Sequence, residues 1–175
     1  MAQIFITKTM KTKQPQIYVA CLAAYNHSIL HGEWLEADQD PENLQEKIDR
    51  ILATSPALKF GEYCEEWAIH DYDDMPNLGE YVSLQEVSDL AKAIAECGEA
   101  YEAYIDHVGS EFANLENFRE LYCGEWESEK DFVMERFPEE NEIPAHLKMY
   151  IDYESIATDW FIGDYYMNNS HVFRR

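Results

Sequence analysis

Apolar and polar positions recur along this chain with a period that changes several times. Gln16-Ile17-Tyr18-Val19-Ala20-Cys21-Leu22 is rich in β-formers and largely apolar, which predicts a buried strand. Asn26-His27 and His31-Gly32 punctuate a turn, and Glu33-Trp34-Leu35 predicts a short second strand. Asp40-Pro41-Glu42 has the form of a helix start, with Asp40 as N-cap and Pro41 in the first helical position. Leu44, Ile48, Ile51 and Leu52 follow at helical spacing, and Ser55-Pro56 ends that helix. An acidic strand from Glu66 to Tyr72 completes a small sheet. Met75-Pro76-Asn77-Leu78-Gly79 then closes the unit, with a boundary near Gly79.

From Ser83 the period becomes helical. Ser83 with Glu86 three residues on makes a capping box, and Leu84, Val87, Leu90, Ala91 and Ile94 form one stripe. Glu86, Asp89 and Glu96 lie away from that stripe, and Gly98 marks the helix end. A second helical stretch aligns Glu99, Glu102 and Asp106 on one face, where like charges repel by a few tenths of a kcal/mol per pair (roughly). Asn114 to Tyr122 predicts a further short helix. Ser128 and Asp131 start another, through Phe132, Val133 and Phe137, stopped by Pro138. Pro144 to Tyr153 begins the next helix, and Trp160-Phe161-Ile162 and the Tyr165-to-Phe173 region predict terminal strands. The expected fold class is α+β. A basic tail (1–14, with Lys8, Lys11 and Lys13) precedes an N-terminal α+β domain with a small antiparallel sheet (15–79), a central helical domain (80–122) and a C-terminal α+β domain (123–175).

Charge changes the picture most. The net charge is −22, and all 35 acids lie between Glu33 and Asp164. Residues 60–91 contain no lysine or arginine, and residues 60–118 hold fifteen acids against the single base Lys92. Exposed carboxylates this dense repel one another and destabilise a compact state, so a chain that keeps them is expected to use them. The acids singled out are Glu65, Glu66, Asp71, Asp73, Asp74, Glu86, Asp89, Glu96, Glu99, Glu102 and Asp106. The alternative is an ordinary solvated face, which would usually intersperse lysines. Direct binding to nucleic acid is disfavoured, because phosphate contacts need a basic footprint. The natural counterpart is a basic protein, including one whose own ligand is DNA. An apolar content of 46% with 14% aromatics argues for packed cores rather than disorder.

The C-terminal stretch differs. Residues 155–175 hold Asp159, Asp164, Arg174 and Arg175, so they are neutral and aromatic-rich. Trp160, Phe161, Ile162, Tyr165 and Tyr166 are candidates for a self-association surface, or else fill the domain's own core.

Chemistry is harder to find. The chain has no G-x-S-x-G, P-loop, G-x-G-x-x-G, H-E-x-x-H or EF-hand loop. His70-Asp71-Tyr72-Asp73-Asp74 offers hard oxygens to a divalent metal, but adjacent strand residues point to opposite faces. The six histidines form no spaced cluster. Cys21, Cys64, Cys97 and Cys123 lack C-x-x-C spacing, so buried free thiols are expected rather than zinc. No cofactor or metal is expected, and no enzymatic activity. No apolar run approaches the ~20 residues that span a bilayer, and no targeting pattern stands at the start, which points to the cytoplasm.

Three blocks of residues resemble the ArdA antirestriction family. They are Ile17-Tyr18-Val19-Ala20-Cys21-Leu22-Ala23-Ala24-Tyr25-Asn26 with Gly32-Glu33-Trp34-Leu35; Glu65-Glu66-Trp67-Ala68-Ile69-His70-Asp71-Tyr72; and Pro144, Leu147, Tyr150-Ile151-Asp152-Tyr153 with the Ala157-to-Trp160 region. The resemblance covers about residues 15–165, in order. It implies a DNA mimic: an elongated homodimer of three small domains per chain, joined through the C-terminal domain. It further implies occupancy of the DNA-binding groove of type I restriction–modification enzymes, chiefly the methyltransferase core. It also implies carriage by plasmids, transposons or phages, where such proteins evade host defence. An acidic adaptor for another basic or DNA-binding protein is the rival reading. Two chains at −22 carry −44, equal to the charge on about 75 Å, or about 22 base pairs, of duplex.

Overall fold

A computed structural model describes residues 13–175, so the expected basic tail lies almost wholly outside the described part. By their contacts the described residues form two compact units, 13–98 and 99–175.

The first unit is built on an antiparallel sheet of β1 (Gln16–Cys21), β2 (Gly32–Glu36) and β3 (Trp67–Asp73), in the order β2-β1-β3. Ile17, Val19 and Cys21 alternate along β1 and are fully buried, and Ala20 on the opposite face is buried too, so the end of the strand is covered on both sides. Leu22 does not extend the strand. It opens a short helix, α1 (Leu22–Asn26), too brief to show a helical period in the sequence. Gly32 faces Ala20 across the ladder, where a Cβ would fall on the Val19 carbonyl oxygen; only glycine fits.

Two helices cover the sheet. In α2 (Pro41–Ala53), Leu44, Ile48, Ile51 and Leu52 are buried. Asp40 stands at the N-cap position, but its side chain does not cap; it takes Lys92 Nζ at 2.7 Å instead. In α3 (Leu84–Cys97) the Ser83–Glu86 capping box forms as expected, and Val87, Leu90, Ala91 and Ile94 are buried. Val87 and Ala91 join Ile17, Val19, Ile48 and Ile69 in one core. Ser88 Oγ donates to the Gln39 carbonyl at 2.7 Å, fastening α3 to the segment after β2.

The second unit contains α4 (Glu99–Val108), α5 (Leu115–Leu121), β4 (Tyr122–Glu125), α6 (Glu129–Glu140), α7 (Tyr153–Gly163), β5 (Tyr165–Asn168) and β6 (His171–Arg174). Its sheet is antiparallel with β6 in the middle, in the order β4-β6-β5. The helices of residues 80–122 are thus divided, α3 with the first unit and α4 and α5 with the second. Tyr101, Tyr104 and Phe118 pack as tilted and edge-on rings with Phe173 of β6. Phe132 of α6 is ringed by Trp126, Trp160, Phe161 and Tyr165.

Three expectations are corrected here. Trp160-Phe161-Ile162 is helical, not a strand. Asp152 caps the helix by accepting from Ser155 N at 3.1 Å, and Tyr153, Ile156, Ala157 and Trp160 supply the helical spacing. Pro138 does not stop α6. It removes only its own amide donor, and Asn141 N still reaches the Phe137 carbonyl at 3.1 Å. Residues 144–153 are not one helix: Ala145–Tyr150 is a 3-10 turn, and the α-helix starts afresh at Tyr153.

Candidate partner-binding surface

Along β3 the side chains alternate, with Tyr72 packed against the core and Asp71 and Asp73 exposed. Register sets their neighbours. Asp73 lies across from Gln16, and Gln16 from Glu36; Asp71 lies across from Tyr18, and Tyr18 from Trp34. Cross-strand partners share a face, so the outer face carries two rows, Glu36–Gln16–Asp73 and Trp34–Tyr18–Asp71. The Tyr18 and Trp34 rings are 5.5 Å apart and tilted. Asp71 and Asp73 are about 7 Å apart along the strand, close to the axial rise of two base-pair steps at roughly 3.4 Å each.

The chain around β3 is tied down. Leu22 N donates to the Glu66 carbonyl at 3.1 Å, and Ile69 N donates to the Glu80 carbonyl at 3.0 Å, which covers the edge of β3. Asp74 ends the strand with φ +54°, a left-handed conformation that Asp tolerates, and its Oδ2 accepts from Gln14 N at 3.4 Å. Tyr72 Oη donates to the Gly79 carbonyl at 2.6 Å. Burial of the phenol pushes the Tyr72 pKa up to about 12, against the opposing pull of a hydrogen bond to the Leu78 backbone, so it stays a donor.

The eleven acids singled out by sequence fall into different circumstances. Glu65, Glu66, Asp71, Asp73 and Asp74 are all exposed. Among the described residues, none of these five is bridged by a lysine, arginine or histidine. Glu86 is exposed but engaged in its capping box, with Oε2 accepting from Ser83 Oγ at 2.7 Å. Asp89 accepts from Gln85 Nε2 at 2.9 Å. Glu96 is exposed and Glu102 half-buried, and both have partners. Glu99 and Asp106 are exposed on α4. The first eight of the eleven belong to the first unit, and Glu99, Glu102 and Asp106 to the second.

Sequence reasoning missed Glu36, Tyr18 and Trp34 as members of this face. The alternation of Trp34-Leu35-Glu36 was visible, but pairing with β1 in this register was not. Among the described residues, no group of three or more His, Cys, Asp or Glu is arranged to hold a metal ion. Also among them, no helix is long and apolar enough to cross a membrane. None of the four cysteines is in a disulfide; Cys21 is buried, as expected, whereas Cys64, Cys97 and Cys123 are half-buried.

The five self-association candidates also separate. Tyr165 and Tyr166 are each only 7% exposed and fill their own unit's core. Trp160 and Phe161 are half-buried against Phe132, and Ile162 alone is freely exposed, at 74%. The same unit exposes Leu147, Met149 and Tyr150 on the 3-10 turn, a patch that reading 144–153 as the start of a helix concealed.

No curated protein sequence matches the chain. The family model described as antirestriction protein (ArdA) matches residues 17–174 of the 175. That span takes in both sheets apart from Gln16 and every acid of the outer face, and the chain belongs to the ArdA antirestriction family.

Proposed function

We propose that this chain is an acidic mimic of DNA that inhibits type I restriction–modification enzymes by occupying the DNA-binding groove of their methyltransferase core. Family membership supports an antirestriction function, and this family acts by inhibiting restriction–modification enzymes rather than by known catalysis. The observation that carries the mimicry is the set of carboxylates at Glu65, Glu66, Asp71, Asp73 and Asp74. They are exposed, carried on the tied-down strand β3 or directly beside its ends, and bridged by no cation among the described residues. Fixed carboxylates can stand in for phosphates against a partner's lysines and arginines, and both ligands displace counterions when they bind.

The working form in this reading is a homodimer joined through the second unit. Its exposed Leu147, Met149, Tyr150 and Ile162 offer apolar area next to a neutral C-terminal stretch. Two subunits this acidic repel one another elsewhere. The site of action is the cytoplasm of a cell carrying the mobile element that encodes the protein.

The test is a cleavage assay with a purified type I enzyme at rising concentrations of unmodified duplex. Protection that is overcome by excess duplex supports the mimicry. Protection unaffected by duplex concentration refutes it. Sedimentation of the Met149→Glu/Ile162→Glu variant tests the dimer, and a shift from two subunits to one is the expected result.

A further inference from the structure

Behind the Glu66 end of β3 lies an open cavity of about 460 Å³. Its walls include Tyr25, Glu66, His70, Glu80 and Tyr81. Tyr25 meets the His70 imidazole edge-on, with ring centroids 4.9 Å apart. Tyr25 and Tyr81 are 56% and 74% exposed, so both rings are open to an incoming group. The two glutamates come from separate segments, each pinned through its own backbone carbonyl, Glu66 to Leu22 N and Glu80 to Ile69 N. Among the described residues, neither carboxylate accepts a hydrogen bond or an ion pair. Two glutamates without a cationic partner among the described residues, both lining one aromatic-walled cavity, disfavour anionic ligands and favour a cation with a flat face. A guanidinium fits that description better than an ammonium. It is planar, stacks on aromatic rings, donates in pairs to carboxylates and is more weakly hydrated.

We propose that this cavity is the receptor for one arginine side chain of the protein that this chain inhibits. The site rests on the DNA-mimic reading, to which it adds one discrete anchor within an otherwise distributed field of charge. DNA has no such cavity, so the mimic would hold an arginine more specifically than a phosphate does.

The experiment has two arms. In the first, the full chain is labelled with 15N and 13C and titrated with N-acetyl-L-arginine methylamide, with the lysine analogue as control. The expected result is saturable resonance shifts confined to Tyr25, His70, Tyr81 and their neighbours, stronger for the arginine probe and lost in Glu66→Gln/Glu80→Gln. Shifts spread over the whole acidic surface, or equal shifts from the lysine probe, overturn the proposal. In the second arm, inhibition of a type I enzyme by Glu66→Gln/Glu80→Gln is compared with Glu42→Gln/Glu46→Gln, which removes equal charge from the exposed side of α2. A loss of about tenfold for the cavity pair and about twofold or less for the control is expected. Equal losses overturn the cavity while leaving the mimicry intact. A wild-type chain that binds the arginine probe but inhibits no type I enzyme supports the arginine site and sinks the reading on which its partner rests.

Discussion

The two units carry the same charge and deploy it differently. Residues 13–98 hold seventeen acids and five bases, residues 99–175 eighteen and six, so each is −12. In the first unit the acids on and beside β3 are bridged by no cation among the described residues, and only Asp71 and Asp74 accept a backbone amide, from Tyr72 N at 2.9 Å and Gln14 N at 3.4 Å. Within α6 and α7 of the second unit, several acids have structural employment. Asp131 accepts from Ser128 Oγ, Asp152 caps α7 through Ser155, and Glu154 takes Lys130 Nζ at 2.8 Å. Hydrogen bonds from the Ser155 amide and hydroxyl hold the Asp152 carboxyl below the usual carboxylate range. Net charge therefore says how much anionic field a unit makes, while the local partners decide which carboxylates are free to meet a ligand.

The comparison is broken most forcefully by dismantling one side of it. Phe132 is fully buried under four aromatic neighbours, and Phe132→Ala should cost the second unit about 3–5 kcal/mol. Calorimetry should then show that unit melting earlier. Retention of Tyr18 and Trp34 fluorescence in the first unit would show that the two cores are separately stable.

A charge exchange sharpens the functional side. Glu36→Gln/Asp71→Asn/Asp73→Asn should weaken inhibition by at least about tenfold and flatten its dependence on log salt by about three, one for each lost phosphate equivalent. Glu129→Gln/Asp131→Asn/Glu154→Gln removes equal charge from the second unit. It should change inhibition less and stability more, as thermal melts can check. Ser83→Ala should cost about 1 kcal/mol by removing the cap of α3, without altering the outer sheet face. Denaturant unfolding measures that directly.

The smallest expected effect is one of pH. His171 is buried and accepts or donates at Nδ1 with Tyr122 Oη at 3.0 Å. Burial holds its pKa below the ordinary histidine value, opposed by the Glu125 and Glu99 carboxylates. A depressed pKa means that the unfolded chain binds the proton more readily. Stability contributed by neutral His171 is therefore present above about pH 6.5 and is lost as pH falls through the lower folded value. His171→Gln should reduce this dependence in melts between neutral and mildly acid pH.

Local signals in the sequence were dependable where a single motif sufficed. Ser83–Glu86, the Leu44-to-Leu52 stripe and the apolar, β-rich run of β1 all appear in the structure as their chemistry dictates. Signals that depend on a distant partner were not. Strand β4 has only four residues, and Gly124 sits at φ +110° beside a register shift, so no alternation announces it. Trp160-Phe161-Ile162 has aromatic and β-branched content that favours a strand, yet burial of Trp160 on a capped helix prevails. Asp40 looked like a cap and became a partner of Lys92, fifty-two residues away. Acid positions were plain to read; which of them would be neutralised by folding was not.

The most direct test is salt. The inhibition constant of this chain against a type I enzyme should be measured from about 50 to 200 mM salt, together with the affinity of the same enzyme for a duplex of about 22 base pairs. If carboxylates replace phosphates, both should weaken steeply and with similar slopes on logarithmic axes. Inhibition that stays constant while DNA binding weakens would contradict the account.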